Sequence, residues 1–379
     1  MTIERVEVFL LDFPLPRRRL FSTGGNDSRG AALVRIGDSD GAVGWGETYP
    51  TPAGVAMLAE LGRLLLGRDP DAATENWRRI WGASGGDGFA TGAVSIALDD
   101  LRARRRGVPV SALYGGARRE RARAYASSEG YVPGRPVADA WLAEADRAAA
   151  AGFTGFKLRM GREGISEELA AAAAVRRAHP TMELMADGNA AYTLRQAIQV
   201  GRELQRLGFT WFEEPMPTER YAGYERLRAA LPLALAGGES VQSRGEAAAL
   251  IDARALDIIQ PDVSICGGIG ETIAICGLAR LAAIQPHPHA CNGALGLAAT
   301  LQVLAVLPDP TRLPADAPML EHDFGPNPAR TDLLTTPLTM RSGWFDIPTG
   351  PGLGIEVDEA FVRRSAVVSE VSGRVRAAS

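Results

Sequence analysis

Residues 183–240 read ELMADGNAAYTLRQAIQVGRELQRLGFTWFEEPMPTERYAGYERLRAALPLALAGGES. Three short apolar runs, Glu183–Ala186, Phe209–Phe212 and Leu233–Ala236, alternate with longer stretches of helical spacing, and each run is followed by an acid. Short runs of this kind are strands, and strands separated by helices pair in parallel, since a parallel partner needs a crossover. The alternation continues outward through Ala122–Ala126 and Gly155–Leu158 on one side and Ile258–Gln260, Leu281–Ile284 and Pro318–Leu320 on the other. Eight short strands, most separated by a helix, suggest a parallel sheet closed into a (β/α) barrel, which has no exposed edge.

The flanks follow another pattern. Residues 3–13 alternate apolar and polar positions, and residues 31–37 form a second β-like run before the turn Asp38-Ser39-Asp40-Gly41. Helical segments are expected over 52–67, 70–82 and 89–106, so residues 1–118 read as an α+β unit ahead of the barrel at 119–337. The tail, 338–379, reverts to short strands and Gly/Pro-rich turns and is expected to return to the N-terminal unit.

Composition narrows the function. Of 379 residues, 46% are hydrophobic and 23% charged, with 41 basic and 45 acidic side chains, which describes a globular protein and excludes a disordered or collagen-like one. A net charge of −4 with very scarce lysine gives no footprint for a phosphate backbone, so nucleic acid is not an expected partner. Cys266, Cys276 and Cys291 lack zinc-type spacing and read as buried small hydrophobes in a reducing compartment. No run approaches the ~20 apolar residues of a membrane span, and the charged start Glu4-Arg5 does not suit a signal peptide, so a cytoplasmic location without membrane association is expected.

In such a barrel the chemistry sits at the C-terminal strand ends. There the sequence places Lys157 and Arg159 (FKLRMG), Asp187 and Asn189 (MADGN), Glu213 and Glu214 (WFEEP), Glu239 (AGGES), Asp262 (QPD), His289 (PHPHACNG) and Glu321 (MLEHD). Asp187, Glu213 and Glu239 follow one another at 26-residue intervals, close to one βα unit, so they are expected at the same place on successive staves. Three convergent carboxylates repel unless a cation neutralises them, and an all-oxygen set favours Mg²⁺. Asn189 and Glu214 are expected to support that metal site. Asp262 precedes His289 by 27 residues, again one stave, and a carboxylate holding Nδ1–H makes Nε2 a general base. Lys157 and Arg159 face the same side of their strand and can grip a carboxylate or a developing enolate. Glu321 can donate a hydrogen bond to the substrate if it is held protonated. His287 is expected on the barrel side of its loop and His179 at the surface.

This constellation resembles the enolase superfamily and, within it, the mandelate racemase group. The resemblance spans essentially the whole chain, including a tail (GWFDIPTGPGLGIEVD) like the one that rejoins the cap in that family. It implies an α/β fold: a modified TIM-type (β/α)7β barrel with an α+β capping domain built from the N-terminal region and the C-terminal tail. It further implies Asp187, Glu213 and Glu239 as magnesium ligands, Asp262 and His289 as the dyad, and Glu321 as the acid beside the substrate carboxylate. A lysine or histidine base working with magnesium is the general description of that superfamily.

One departure bears on the reaction. The family's Lys-x-Lys supplies a second base from its second lysine; here that residue is Arg159, whose guanidinium stays protonated. Racemisation needs a base on each face of the α-carbon, whereas elimination needs only one. The expected activity is therefore abstraction of the α-proton of a hydroxy-carboxylate, an acid sugar, through an enediolate, with dehydration to a 2-keto-3-deoxy acid. The alternatives are a racemase or epimerase, or a sugar-lactone cycloisomerase, of the same superfamily. A metal-dependent amidohydrolase, suggested by His287-Pro288-His289, and a barrel kept only for binding are weaker readings. The expected partners are a small carboxylate and, in a homo-oligomer, further copies of the chain. Specificity is expected in cap loops near Arg17–Gly25 and Gly46–Pro52, where Arg17, Arg18 and Arg19 could meet a distal carboxylate.

Overall fold

Alternation over the first residues produces an antiparallel sheet, but one longer than its apolar pattern. In the computed structural model, which describes residues 1–218, 222–309 and 317–373, β1 (Ile3–Phe21) pairs with β2 (Gly24–Asp38), and β2 with β3 (Val43–Thr48). The runs at 3–13 and 31–37 thus continue into a hairpin over residues 14–29. Pro14 and Pro16 lack an N–H, and the register slips between Pro14 and Arg19. This hairpin, expected as a loop, projects over the barrel mouth.

The inner face of the sheet packs on α1 (Pro52–Leu65), α2 (Ala73–Ala83) and α3 (Gly88–Arg105), burying Val6, Val8, Val34 and Ile36 against Leu58, Leu61, Val94 and Leu101. Gly44 and Gly46 allow β3 to lie on α3, since a Cβ at either would stand 2.2 or 2.0 Å from a carbonyl oxygen of Ala97 or Ala93.

After α4 (Val110–Leu113), the barrel strands are β4 (Arg121–Ser127), β5 (Gly155–Arg159), β6 (Glu183–Asp187), β7 (Trp211–Glu213), β8 (Ala234–Gly237), β9 (Ile258–Ile259), β10 (Gln285–Pro286) and β11 (Leu320–Asp323). They pair in parallel from β4 to β10, and β11 pairs with β4. Among the described residues, seven helices separate them: α5 (Val137–Ala150), α6 (Ile165–Ala178), α7 (Leu194–Arg206), α8 (Ala222–Ala230), α9 (Arg244–Asp252), α10 (Ile269–Leu281) and α11 (Ala294–Val306). The architecture is the expected (β/α)7β. Helix α11 is buried on every side, as its all-round apolar sequence requires.

One expectation is corrected. Leu281–Ile284 is not the seventh strand: Leu281 ends α10 and is 88% exposed, Ala283 turns the chain at φ 58°, and the strand is Gln285–Pro286. The apolar end of α10 made the two segments read as one run. The tail reaches the cap by way of the barrel. After α12 (Pro328–Thr331), β12 (Met340–Arg341) and β13 (Trp344–Asp346) form a hairpin that pairs antiparallel with barrel strand β4. Only β14 (Ala366–Gly373), after α13 (Glu359–Ser365), pairs with β1. Residues 374–379 of the expected tail lie outside the described residues.

Candidate active site

The ladder register positions the acids. Asp187 and Glu213 close β6 and β7 and stand directly opposite each other, while Arg159, at the end of β5, faces Asp187. The stave rule fails by a few residues for Glu239. Glu213 pairs with Ala236, and Glu239 lies past the end of β8, beyond Gly238, whose φ of 93° turns the chain. Glu239 is accordingly 24% exposed, whereas Asp187 and Glu213 are 1% exposed.

Lys157 is fully buried and lies between acids: it bonds Glu213, reaches Glu321 at 2.9 Å and Asp187 at 3.7 Å. It is also the only lysine in the chain, every other long cationic side chain being arginine. A compact ammonium with three rotatable donors suits a packed position among three carboxylates, where a planar guanidinium would not. Arg159 bonds Asp187 at 2.9 Å, the Asn189 side-chain oxygen at 3.1 Å and the Ser128 carbonyl at 3.2 Å. Burial lowers the proton affinity of both cations, but the neighbouring acids, Glu213 for Lys157 and Asp187 for Arg159, outweigh it and hold both above their ordinary values.

Asn189 braces Asp187 through its backbone N–H at 2.8 Å and its side-chain amide at 3.0 Å, in a left-handed conformation of φ 40°. Glu214, also left-handed, accepts from Gly238 N–H at 3.2 Å. Burial first, then the charges of Glu239, Asp187 and Glu213, drives its carboxyl well above the usual range. With Asp187, Glu213 and Glu239 against Lys157 and Arg159, the set has a surplus of negative charge and only oxygen donors on its acidic side. That chemistry fits a hard divalent ion held by Asp187, Glu213 and Glu239. Their oxygens are spread, Glu213 leaning on Lys157 and Glu239 toward His289 Nε2 at 3.3 Å.

Asp262 and His289 meet as expected, Oδ2 to Nδ1 at 2.7 Å. Asp262 is fully satisfied: Oδ2 also accepts from the Tyr49 hydroxyl at 2.8 Å, and Oδ1 from Ser264 N–H at 2.7 Å and the Asn292 amide at 3.1 Å. The dyad is therefore rigid, with Nδ1 as the proton-bearing nitrogen and Nε2 turned to the cavity. Burial lowers the basicity of His289, but Glu239 foremost, then Cys291, Glu321 and Asp262, raise its proton affinity well above the ordinary value. His287 is a different kind of residue. It is buried, accepts from Met319 N–H at 3.1 Å between β10 and β11, and is pushed down to about 4 by burial and then Arg123. It belongs to the barrel wall, which removes the amidohydrolase reading of His287 and His289 as paired ligands.

A cavity of about 950 Å³ opens between the cap and these residues, lined among others by Arg19, Arg29, Tyr49, Arg159, Glu239 and His289.

Residues 6–115 match the N-terminal domain of mandelate racemase / muconate lactonizing enzyme, and residues 140–361 match the enolase C-terminal domain-like model. The chain belongs to the mandelate racemase group of the enolase superfamily. D-galactarolactone cycloisomerase of Agrobacterium fabrum is 36% identical over 88% of this chain and 90% of its own. D-galactonate dehydratase of Verminephrobacter eiseniae is 32% identical over 87% and 89%. The structure of L-talarate/galactarate dehydratase from Salmonella typhimurium liganded with Mg and L-lyxarohydroxamate has a TM-score of 0.87 at 28% identity, over 98% of this chain and 94% of that one. Among the described residues no helix is long and apolar enough to cross a membrane.

Two side chains differ from what the sequence led us to expect. Glu321 is not held protonated. Burial favours the neutral acid, but Lys157, His289 and Arg159 outweigh it and pull the carboxyl below the usual range, so it stands as a carboxylate. Cys291 is not a core residue like Cys266 and Cys276; it is partly exposed and lines the cavity.

Sequence reasoning missed five residues. Tyr49 reaches Asp262 from the GETYP segment, and Glu47 of the same segment accepts from Gly296 N–H at 2.9 Å and from Gly293, at the start of α11, where burial pushes it up to about 7. Gln260 and Trp211 donate to Glu213 Oε2 at 2.8 and 3.1 Å. Asp323 on β11 binds Arg19 at 3.0 Å and also Arg29, both from the cap hairpin. Arg17, expected near a distal carboxylate, instead pairs with Glu129 at 2.8 Å, and Arg18 lies 3.8 Å from Asp27. The GETYP tyrosine and the Gln260 of QPD were visible as motif neighbours; the Arg19–Asp323 contact, between segments some 300 residues apart, had no local signal.

Proposed function

We propose that the protein abstracts the α-proton of an acid-sugar carboxylate and expels the oxygen substituent at C3, most simply as water to give a 2-keto-3-deoxy acid. The observation that carries the reading is geometric: Asp262 holds His289 Nδ1 at 2.7 Å, so Nε2 is left to the cavity, while position 159, on the same cavity, carries a guanidinium that gives up no proton near neutral pH. One base and no second one suits elimination, not racemisation. That Lys157 survives as lysine while position 159 is arginine agrees: the second position carries charge without needing a titratable amine.

A magnesium ion held by Asp187, Glu213 and Glu239 would supply Lewis-acid stabilisation of the enediolate. The chain's own residues do the rest. His289 Nε2 takes the proton; Asp262 steadies the imidazolium through Nδ1–H; and Lys157 and Arg159 offset negative charge growing on the substrate carboxylate. The protonated His289 is placed to hand its proton to the departing oxygen. Arg19 and Arg29 on the cavity wall favour an anionic substrate. A second reading, opening of a sugar lactone or anhydro ring by the same elimination, is favoured by the 36% identity to a D-galactarolactone cycloisomerase. In that case the departing oxygen is the ring oxygen.

The test is a screen of mono- and diacid sugars and their lactones with Mg²⁺, read by semicarbazone formation. Keto-acid formation that EDTA abolishes is the expected result; recovery of only the C2 epimer would contradict the reading. Tyr49→Phe tests the dyad. Without that donor Asp262 becomes a stronger acceptor and raises the affinity of His289 for its proton. Because the base acts deprotonated, the acid limb of kcat/KM should move to higher pH, and kcat should fall roughly ten-fold, the effect of losing a hydrogen bond to a charged group. An unchanged acid limb would contradict the role given to Tyr49.

A further inference from the structure

The proposed chemistry leaves Cys291 without a task, although it reaches the cavity beside the base. Its Sγ lies 3.8 Å from Glu321 Oε1 and 3.8 Å from an Arg159 nitrogen. The other Glu321 oxygen, Oε2, is fully buried, accepts no hydrogen bond and stands 3.7 Å from His289 Nε2. Among the described residues, His289, Cys291 and Glu321 form the one group whose ligand atoms all lie within 4.8 Å of one another. Because Asp262 holds Nδ1–H at 2.7 Å, the lone pair of His289 is on Nε2, the side that faces the other two. An imidazole backed by a carboxylate in this way is the usual form of a histidine metal ligand.

We propose that His289, Cys291 and Glu321 form a second cation site, which takes a thiophilic divalent ion of the zinc and cadmium class and, when filled, silences the base. A nitrogen, sulfur and oxygen set selects such ions over magnesium, so the two sites of this mouth differ in chemistry as well as position. Ligands about 2.0–2.3 Å from a tetrahedral zinc stand roughly 3.5 Å apart, so a set already within 4.8 Å of one another closes on the ion by side-chain movements of about an ångström. Binding releases to solvent the Cys291 thiol proton and any proton that His289 carries on Nε2. The resulting thiolate and the Glu321 carboxylate balance the two charges of the ion, and the fourth position opens on the cavity for water. Lys157 and Arg159 keep Glu213 and Asp187 as partners. The ion occupies the lone pair that takes the α-proton, so its inhibitory effect rests on the reading of His289 as base; its binding does not.

The test is titration of the full-length, magnesium-loaded protein with Cd²⁺, followed by the ultraviolet thiolate-to-cadmium charge-transfer band. One equivalent is expected to develop the band, and Zn²⁺ is expected to stop turnover at a matching ratio. Cys291→Ser and Cys291→Ala should lose the band and raise the zinc concentration for half-inhibition about ten-fold or more, since even outer partners of a metal contribute that much. Cys276→Ala, in the core, should keep the band. Absence of the band at one equivalent, or its survival in both Cys291 variants, would overturn the site. The band is read without substrate, so it stands or falls independently of the acid-sugar reading; a full band with undiminished turnover would overturn the inhibitory effect.

Discussion

His289→Asn is expected to lose about 10²- to 10⁴-fold in kcat, the contribution of a positioned general base, while substrate affinity stays within a few-fold of wild type. The imidazole is held by Asp262 at 2.7 Å and faces the cavity through Nε2. Asparagine keeps a polar group against Asp262 but offers no atom that accepts a proton near neutral pH. Neither neighbour can replace it, because Lys157 and Arg159 remain protonated among their acids. Steady-state kinetics with an isothermal measurement of Mg²⁺ affinity separate the effects: metal affinity should persist and turnover should not. Full activity in this variant would remove His289 from the role of base.

Asp323→Asn has the largest expected effect on stability. Asp323 is 2% exposed, and its carboxylate receives Arg19 and Arg29 while its backbone carbonyl accepts from Arg330 at 3.1 Å. Arg29 and Arg330 are themselves largely buried, so a neutral residue leaves cations in the interior without their counter-charge. Breaking a buried ion pair from one side costs about 3–5 kcal/mol, and here the loss falls on the junction between the cap hairpin and the last barrel strand. The pH dependence follows from the sign of the shift. Burial alone would raise the Asp323 carboxyl, but Arg19, Arg29 and Arg330 hold it well below the ordinary value. Its contribution is thus present at neutral pH, above the unfolded value, and is lost as pH falls toward the folded one. Urea denaturation of the variant should show a lower midpoint at pH 7 and a flatter loss of stability toward acid than wild type. KM should also rise, since Arg19 and Arg29 line the cavity. A midpoint within error of wild type at pH 7 would contradict the anchor.

What was legible in the chain was the part written in stave periodicity. The spacing of Asp187, Glu213 and Glu239, and of Asp262 and His289, projects the barrel repeat onto the sequence, so the acid side of the mouth and the dyad could be read without coordinates. Even there the projection slips by a few residues at Glu239, because Gly238 turns the chain after the strand has ended. What was not legible comes from contacts between segments that share no period. Tyr49 meets Asp262 across 213 residues and Arg29 meets Asp323 across 294. Two prolines made the cap hairpin look like a loop, although the ladder resumes at Arg19 on its far side. The ionised state of Glu321 depends on where the nitrogen of Lys157 points, which composition does not specify. Cys291 differs from the other cysteines only by facing the cavity, a distinction that an apolar-run reading cannot make. One signal was present and underused: a single lysine in a chain rich in arginine marks a position that guanidinium cannot fill.

The central claim is that one base, on one face of the substrate, removes the α-proton. The most direct measurement is ¹H NMR of a turned-over acid sugar in D₂O, with the unreacted substrate recovered and both C2 epimers assayed separately. Deuterium is expected at C2 of one epimer only, with keto-acid formed from that epimer and neither wash-in nor product in His289→Asn. Wash-in at C2 of both epimers, or interconversion between them, would require a second base and would contradict the mechanism.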